Sequence, residues 1–359
     1  MKSTMPIIET ASPILLRKPI YQGSSARPHT RHLFAILAAL LAFSGCDRKT
    51  ETAGGTKNQL TIALLPKSKG NQFFLTVEKG ARQAADEIGA KLLFDGPTDN
   101  DPAKQNEIIE NWISLGVDAI AAASQNKGGI SLPLKKARAK GVTVVTYDSD
   151  ANDEARSFFI NQATPKSIGE TLMDSAAKLC GEEGEFAIIT GTLTAGNLNT
   201  WRGFIEARLA EKYPRMKLVA TKPCDDDKGK AQQEAANLIS AYPSLKCIMA
   251  ITSPAVPGAA EAVKQAGKAG MVKVLGLGLP SENRAYVKEG VTQAVILWNL
   301  CDLGYLTVKA AAAVKNGTLK PGATTFDAGR LGNLKVEGDN ILLGAPIIFT
   351  SENIDQYQF

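Results

Sequence analysis

Lys67, Asn71, Phe73 and Phe74 crowd into one short segment, LLPKSKGNQFF over 64–74, between a strand-like run and the start of a helical one. An ammonium and an amide donate hydrogen bonds to hydroxyls, and an aromatic face suits the apolar C–H face of a sugar ring. Phe74 also falls on the helical stripe, so a core role suits it equally. Asp148 ends the run VTVVTYDSD over 142–150, where a carboxylate could accept from two adjacent hydroxyls. Asp150, Asn197, Asn199, Asp225 and Ser253 also fall just after strand-like runs, and Trp298-Asn299 ends another. A tryptophan there could stack on a sugar or pack a hinge. Asp227, last of three consecutive acids, reads most simply as a helix N-cap, which leaves Asp225 as the ligand candidate of that group.

Several other chemistries fail on spacing. Asp148, Asp150 and Asn152 begin as a calcium loop would, but Asp153 stands where that loop needs glycine and Phe159 where it needs glutamate. GTLTAGN (191–197) and GLGL (276–279) lack the glycine and lysine spacing of phosphate loops and read as close backbone turns. Both histidines, His29 and His32, lie near the N-terminus. Without imidazole beyond residue 45, Ser-His-Asp and Cys-His catalysis and histidine-held zinc are excluded. The sequence therefore points away from an enzyme, and no cofactor or metal is expected. Cys180, Cys224, Cys247 and Cys301 are scattered without CxxC spacing, which favours buried free thiols over a disulfide scaffold.

The elements that must position these residues alternate regularly. Apolar runs at 60–65, 91–96, 118–124 and 142–150 read as strands, with helical spacing over 71–89, 102–115 and 130–140 between them. Asp101 before Pro102 predicts an N-cap and a first helical residue. A second set places strands at 157–160, 185–190, 216–221, 246–251 and 272–277, with helices at 164–180, 199–212, 228–241 and 256–267. Helix 280–289, strand 293–297 and helix 301–316 follow, and 324–359 reads as short strands and turns. Strict alternation with strands apolar on both faces indicates two doubly wound parallel-sheet lobes of the α/β class. In such sheets ligands bind beyond the carboxyl ends of the strands, where the polar candidates fall.

Residues 31–46, RHLFAILAALLAFSGC, read as an export signal. Arg31 is a positive flank, and 33–43 is an apolar core too short for a permanent span. Ser44-Gly45 before Cys46 resembles a lipobox, so Cys46 is the expected lipidation site, with 1–45 a leader and 46–58 a linker. The leader takes five of the 41 basic residues and one of the 36 acids, leaving 36 against 35. A nearly neutral remainder gives no case for nucleic-acid binding.

Taken together, PKSKGNQFF, FDGPTDNDPAKQNEIIENWISLGVDAI, TYDSDANDEARSFFINQAT, AYPSLKCIMA, GLGLPSENRAYVKEG, LWNLCDLGY and NIDQYQF resemble the periplasmic sugar-binding proteins of ABC importers, of the type I, ribose-binding-like fold. The rhamnose-type proteins and autoinducer-2 receptors form the most similar subgroup. The resemblance implies two lobes joined by a three-stranded hinge, 58–150 with 280–323 and 151–279 with 324–359. It also implies a monomer that binds a monosaccharide between its lobes and delivers it to a permease and its ATPase from a lipid-anchored position in the periplasm. A sensor feeding a histidine kinase or chemoreceptor is the alternative. By the same resemblance Lys67 and Asp148 match ligand-holding positions. Asn197-Leu198 stands where the autoinducer receptors have Asp-Gln, and Ile251-Thr252-Ser253 where they have Pro-x-Ala. Asn197 and Trp298-Asn299 agree better with a rhamnose-like deoxyhexose or related aldose.

Overall fold

The computed structural model describes residues 59–359, so the leader, the linker and Cys46 lie outside the described residues. The first lobe begins as the alternation predicts. Strands β1 (Thr61–Leu65), β2 (Lys91–Phe94), β3 (Ala119–Ala122), β4 (Thr143–Tyr147) and β5 (Phe158–Asn161) are separated by helices α1 (Gln72–Glu87), α2 (Pro102–Leu115) and α3 (Lys127–Ala139), except that β4 and β5 are joined by a short 3-10 turn. Local chemistry sets the helix starts. Asn71 caps α1, Asp101 caps α2 with Pro102 in its first turn, and Asn126 caps α3 three residues ahead of the sequence reading.

The chain then crosses to a second lobe of α4 (Pro165–Cys180), β6 (Gly184–Thr190), α5 (Gly196–Lys212), β7 (Met216–Pro223), α6 (Lys228–Ala241), β8 (Leu245–Ala250), α7 (Ala255–Gln265), β9 (Lys273–Leu277), α8 (Pro280–Lys288) and β10 (Thr292–Leu297). It returns with α9 (Leu300–Lys315), β11 (Thr325–Asp327), β12 (Asn333–Glu337) and β13 (Asn340–Leu342), and crosses once more to β14 (Ile347–Phe349).

The first sheet runs β11-β12-β13-β5-β4-β3-β1-β2, parallel from β13 to β2. The second runs β14-β10-β9-β8-β6-β7, parallel except for β14. Three segments therefore join the lobes, following β5, β10 and β13.

This pairing moves the expected lobe boundaries. β5 belongs to the first sheet, because Val145 pairs with Phe158. The buried Arg156 reinforces the turn by holding Asp150, Asp153 and Asp339 together. The 280–297 stretch belongs to the second sheet, since β10 lies beside β9 with Ile296 opposite Leu277. Residues 325–342 pair back onto β5 and so belong to the first lobe. The expected cuts came from the family resemblance, whereas lobe membership is decided by ladder pairing between segments far apart in sequence.

Helices α1 and α9 pack backbone to backbone on the first sheet. A Cβ on Gly80 would stand 1.8 Å from the Cys301 carbonyl oxygen, and one on Gly304 would stand 1.9 Å from that of Val77. Gly304→Ala must therefore push the helices apart. We expect a destabilisation of about 1–3 kcal/mol, measured by denaturant unfolding, with the far-UV circular dichroism of the native state unchanged.

Candidate functional site

The carboxyl ends of both parallel sheets face one cleft, and a cavity lies there. The first lobe supplies Lys67 after β1, Asn71 at the cap of α1, Phe73 and Phe74 in its first turn, and Asp148 after β4. The second lobe supplies Asn197, Leu198 and Trp201 from α5, Asp226 after β7, and Ile251, Thr252 and Ser253 after β8. Leu277, Leu297 and Trp298 come from the ends of β9 and β10.

Eight of the sequence candidates thus come together: Lys67, Asn71, Phe73, Phe74, Asp148, Asn197, Ser253 and Trp298. Three do not line this cavity. Asn199 lies two residues from Asn197, so it points elsewhere on the helix, and its amide donates to the Leu193 carbonyl at 2.8 Å. Asn299 is occupied as the N-cap of α9, accepting from Asp302 N–H at 3.1 Å. Asp225 is turned outward and pairs with Lys230 at 3.0 Å. Asp150, also at a strand end, is taken by Arg156.

Asp226 lines the cavity in place of Asp225, and Asp227 caps α6 as expected. Nothing in a run of three acids tells which one turns inward. The cause is backbone geometry: Asp225 and Asp226 are both left-handed, at φ 54° and 55°. Gly191 makes room for the inward carboxylate, since a Cβ there would stand 2.4 Å from Asp226 Oδ1. The first glycine of GTLTAGN thus serves close packing. Trp201 was legible but missed, because its i,i+4 spacing from Asn197 sets both on one face of α5.

Two charges are buried at the centre. Lys67 and Asp148 are 6% and 5% exposed, with Nζ 3.6 Å from Oδ2. Lys67 Nζ also donates across the cleft to Asn197 Oδ1 at 3.0 Å. Ser253 Oγ donates across it to Asn71 Oδ1 at 3.5 Å, and Thr252 donates to Asp226. The lobes are therefore closed on one another. Burial pushes the Asp148 carboxyl above its ordinary 3.8, Lys67 pulls it partly back, and Asp226 adds a smaller push upward. Edge-to-face rings run Phe74–Phe73–Trp298–Trp201, with centroids 4.9, 6.2 and 5.9 Å apart. The Trp298 indole N–H is buried with no partner among the described residues.

A mostly apolar and aromatic chamber with a few convergent donors and acceptors is a small-molecule site. Set between two lobes joined by three segments, it defines the binding cleft of a two-lobed protein. Among the described residues no cluster could hold a metal ion, and no helix is long and apolar enough to cross a membrane.

The chain belongs to the periplasmic binding protein family: residues 62–319 match the model of a periplasmic binding protein domain. It is 30% identical to the D-allose-binding periplasmic protein of Escherichia coli over 275 residues, 72% of this chain and 86% of that one. A solute-binding protein of an ABC transporter from Clostridium phytofermentas, solved with bound L-rhamnose, superposes with a TM-score of 0.79. Its identity is 30%, over 83% of this chain and 98% of that one. LsrB from Clostridium saccharobutylicum, in complex with AI-2, gives 0.80 at 25% identity, over 84% of this chain and all of that one. The chain is a binding protein of type I fold and not an enzyme.

The raised Asp148 pKa sets a sign. Ionised Asp148 is disfavoured in the fold relative to the unfolded chain, so its penalty is full above the raised value and vanishes below 3.8. Asparagine removes the charge and tolerates the left-handed conformation at φ 57°. Without ligand, Asp148→Asn is expected to melt higher than wild type at neutral pH. That gap should close as pH falls below the ordinary carboxylate range, read by thermal unfolding across pH.

Proposed function

We propose that this protein captures a neutral monosaccharide in its interlobe cavity, a rhamnose-like deoxyhexose in preference to a fully hydroxylated sugar. The observation that carries the reading is the division of the cavity wall. Lys67, Asn71, Asp148, Asn197, Asp226, Thr252 and Ser253 offer donors and acceptors, while Leu198, Ile251, Leu277 and Leu297 offer none. A ring with hydroxyls along one edge and a methyl group at one end matches that division. A hydroxyl against the leucines would lose its water without a replacement partner, at about 1–3 kcal/mol. The aromatic rings supply faces for the sugar's C–H groups. Charge narrows the class further, since one lysine faces two carboxylates and an anionic sugar would add a third negative group to a buried site.

The rhamnose and AI-2 complexes of similar fold, and the allose-binding relative, support a small polyhydroxylated ligand. In this reading the protein works as an exported receptor that presents the closed, loaded form to an ABC permease. It is held at the membrane by a lipid on Cys46, supported by the apolar run and small residues before that cysteine.

A thermal-shift screen of the chain from residue 46 against rhamnose, fucose, ribose, xylose, galactose and autoinducer-2 tests the ligand. Each is compared with glucuronate and a sugar phosphate. A ligand at 100 times its Kd stabilises by about 2.7 kcal/mol. Rhamnose or fucose should give the largest shift and the anions none, and Asp148→Asn should abolish the shift while still folding. A flat response to every sugar would sink the carbohydrate reading. For the anchor, cells fed an alkyne fatty acid should label the wild-type protein and not Cys46→Ser. Equal labelling of both would remove Cys46 from that role.

A further inference from the structure

Asn100 lies in the loop between β2 and α2 and does not line the cavity, yet its side chain spans the two lobes. Its Nδ2 donates to the Asp225 carbonyl oxygen at 2.7 Å and, more weakly, to Asp226 Oδ2 at 3.4 Å. Its Oδ1 accepts from Gln125 Nε2, which also donates to the Lys67 carbonyl at 3.2 Å. Gln125 N–H in turn donates to Gln105 Oε1 at 3.0 Å, and Gln105 Nε2 donates to the carbonyls of Pro66 and Ala123 at 2.9 and 2.8 Å. Gln105 and Gln125 are 0% and 2% exposed. A rigid ladder of buried amides thus runs from beneath Lys67 to the cleft edge and ends in Asn100.

Across the cleft Asn100 meets the loop of consecutive left-handed residues. Such conformations cost energy for a side-chain-bearing residue and persist where the surroundings hold them. The first of the two presents its carbonyl to Asn100, and the second turns its carboxylate into the cavity, where it takes the Thr252 hydroxyl. The other side-chain hydrogen bonds that cross the cleft, from Lys67 and Ser253, belong to cavity-lining residues that a ligand would compete for.

We propose that Asn100 is a latch: it touches no ligand, but it sets the stability of the closed cleft and thereby the affinity and residence time of whatever the cleft holds. The inference rests on the reading that the lobes close around a ligand. The latch bonds exist only when the lobes meet. In the open form Asn100 and the Asp225 carbonyl turn to water, so only the net gain of one exposed bond favours closure. That gain corresponds to about a 2- to 10-fold change in the closing equilibrium. A latch of this size tunes release more than selectivity, because its shorter bond, to the Asp225 carbonyl, lies outside the cavity and only the longer one reaches a lining residue, Asp226.

The test compares wild type, Asn100→Ala and Asn100→Asp, each carrying dyes at Leu115→Cys and Met271→Cys, exposed positions on opposite lobes. Single-molecule energy transfer reads the closed fraction without sugar, and stopped-flow displacement reads L-rhamnose dissociation. Asn100→Ala should lower the closed fraction and speed dissociation about 2- to 10-fold. The association rate and the order of sugar preference should stay at wild-type values. Asn100→Asp, which sets a carboxylate against the Asp225 carbonyl and the Asp226 carboxylate, should open the cleft further, with added salt restoring part of the loss. Unchanged closure and dissociation in both variants would overturn the latch. If L-rhamnose fails to bind wild type, rhamnose is removed as the ligand, and the closed fraction still decides on Asn100.

Discussion

The buried pairing of Lys67 with Asp148 constrains everything around it. Removing two charges from water costs several kcal/mol per ion, and their attraction repays this only when close geometry and further hydrogen bonds complete both groups. Here the pair is 3.6 Å apart, too far for a strong direct bond, and Lys67 finds its nearer partner in Asn197 of the other lobe. The carboxyl remains pushed up by its burial. The first lobe by itself therefore carries an incomplete polar cluster at the ends of β1 and β4. Completing it takes either the second lobe or a molecule lying between the lobes. Closing the cleft strips water from these groups, so what lies between the lobes must replace it. The same cluster is a site that the fold carries at a cost, as functional sites commonly are.

The two lobes bring different halves of the chemistry. The first contributes the ammonium, Asp148, Asn71 and the edge-to-face pair Phe73 and Phe74. The second contributes Asn197, Asp226, Thr252 and Ser253, but also the four aliphatic side chains that close the chamber. A hydroxylated molecule would thus find its charged contacts mainly on one side and its apolar cover on the other. Three left-handed aspartates, Asp148, Asp225 and Asp226, lie at the cleft, two with carboxylates in the cavity and one with its carbonyl at the lobe contact. In each case backbone strain aims a polar group where a regular strand end would not.

Much of this was legible in the sequence where the signal is local. Alternating apolar runs, Pro102 behind Asp101 and the cap at Asp227 predict elements that the structure contains. The rule that ligands lie beyond parallel strand ends brought Lys67, Asp148, Ser253 and Trp298 to one place. What failed depends on contacts remote in sequence or on backbone torsion. Lobe membership of β5, β10 and the 325–342 segment is decided by ladder partners far away along the chain. The choice of Asp226 over Asp225 is decided by two φ angles and by the space at Gly191. Asn199 and Asn299 lie outside the cavity because a polar residue at a helix start serves the helix as readily as a ligand. Their bonds to the Leu193 carbonyl and the Asp302 N–H show that choice made.

Trp298 joins these threads. It follows β10, the strand that the family resemblance assigned to the other lobe, and stands where the chain leaves the second sheet for α9. Its ring contacts Phe73 of the first lobe and Trp201 of the second, edge to face in both cases. It also borders the hollow that Gln162, Leu343 and Gly344 line at the other two crossings between lobes. Rotation of one lobe against the other must therefore move the Trp298 ring relative to at least one aromatic neighbour. The hinge and the ligand chamber share this side chain, so opening the joint and dismantling the aromatic wall are one motion.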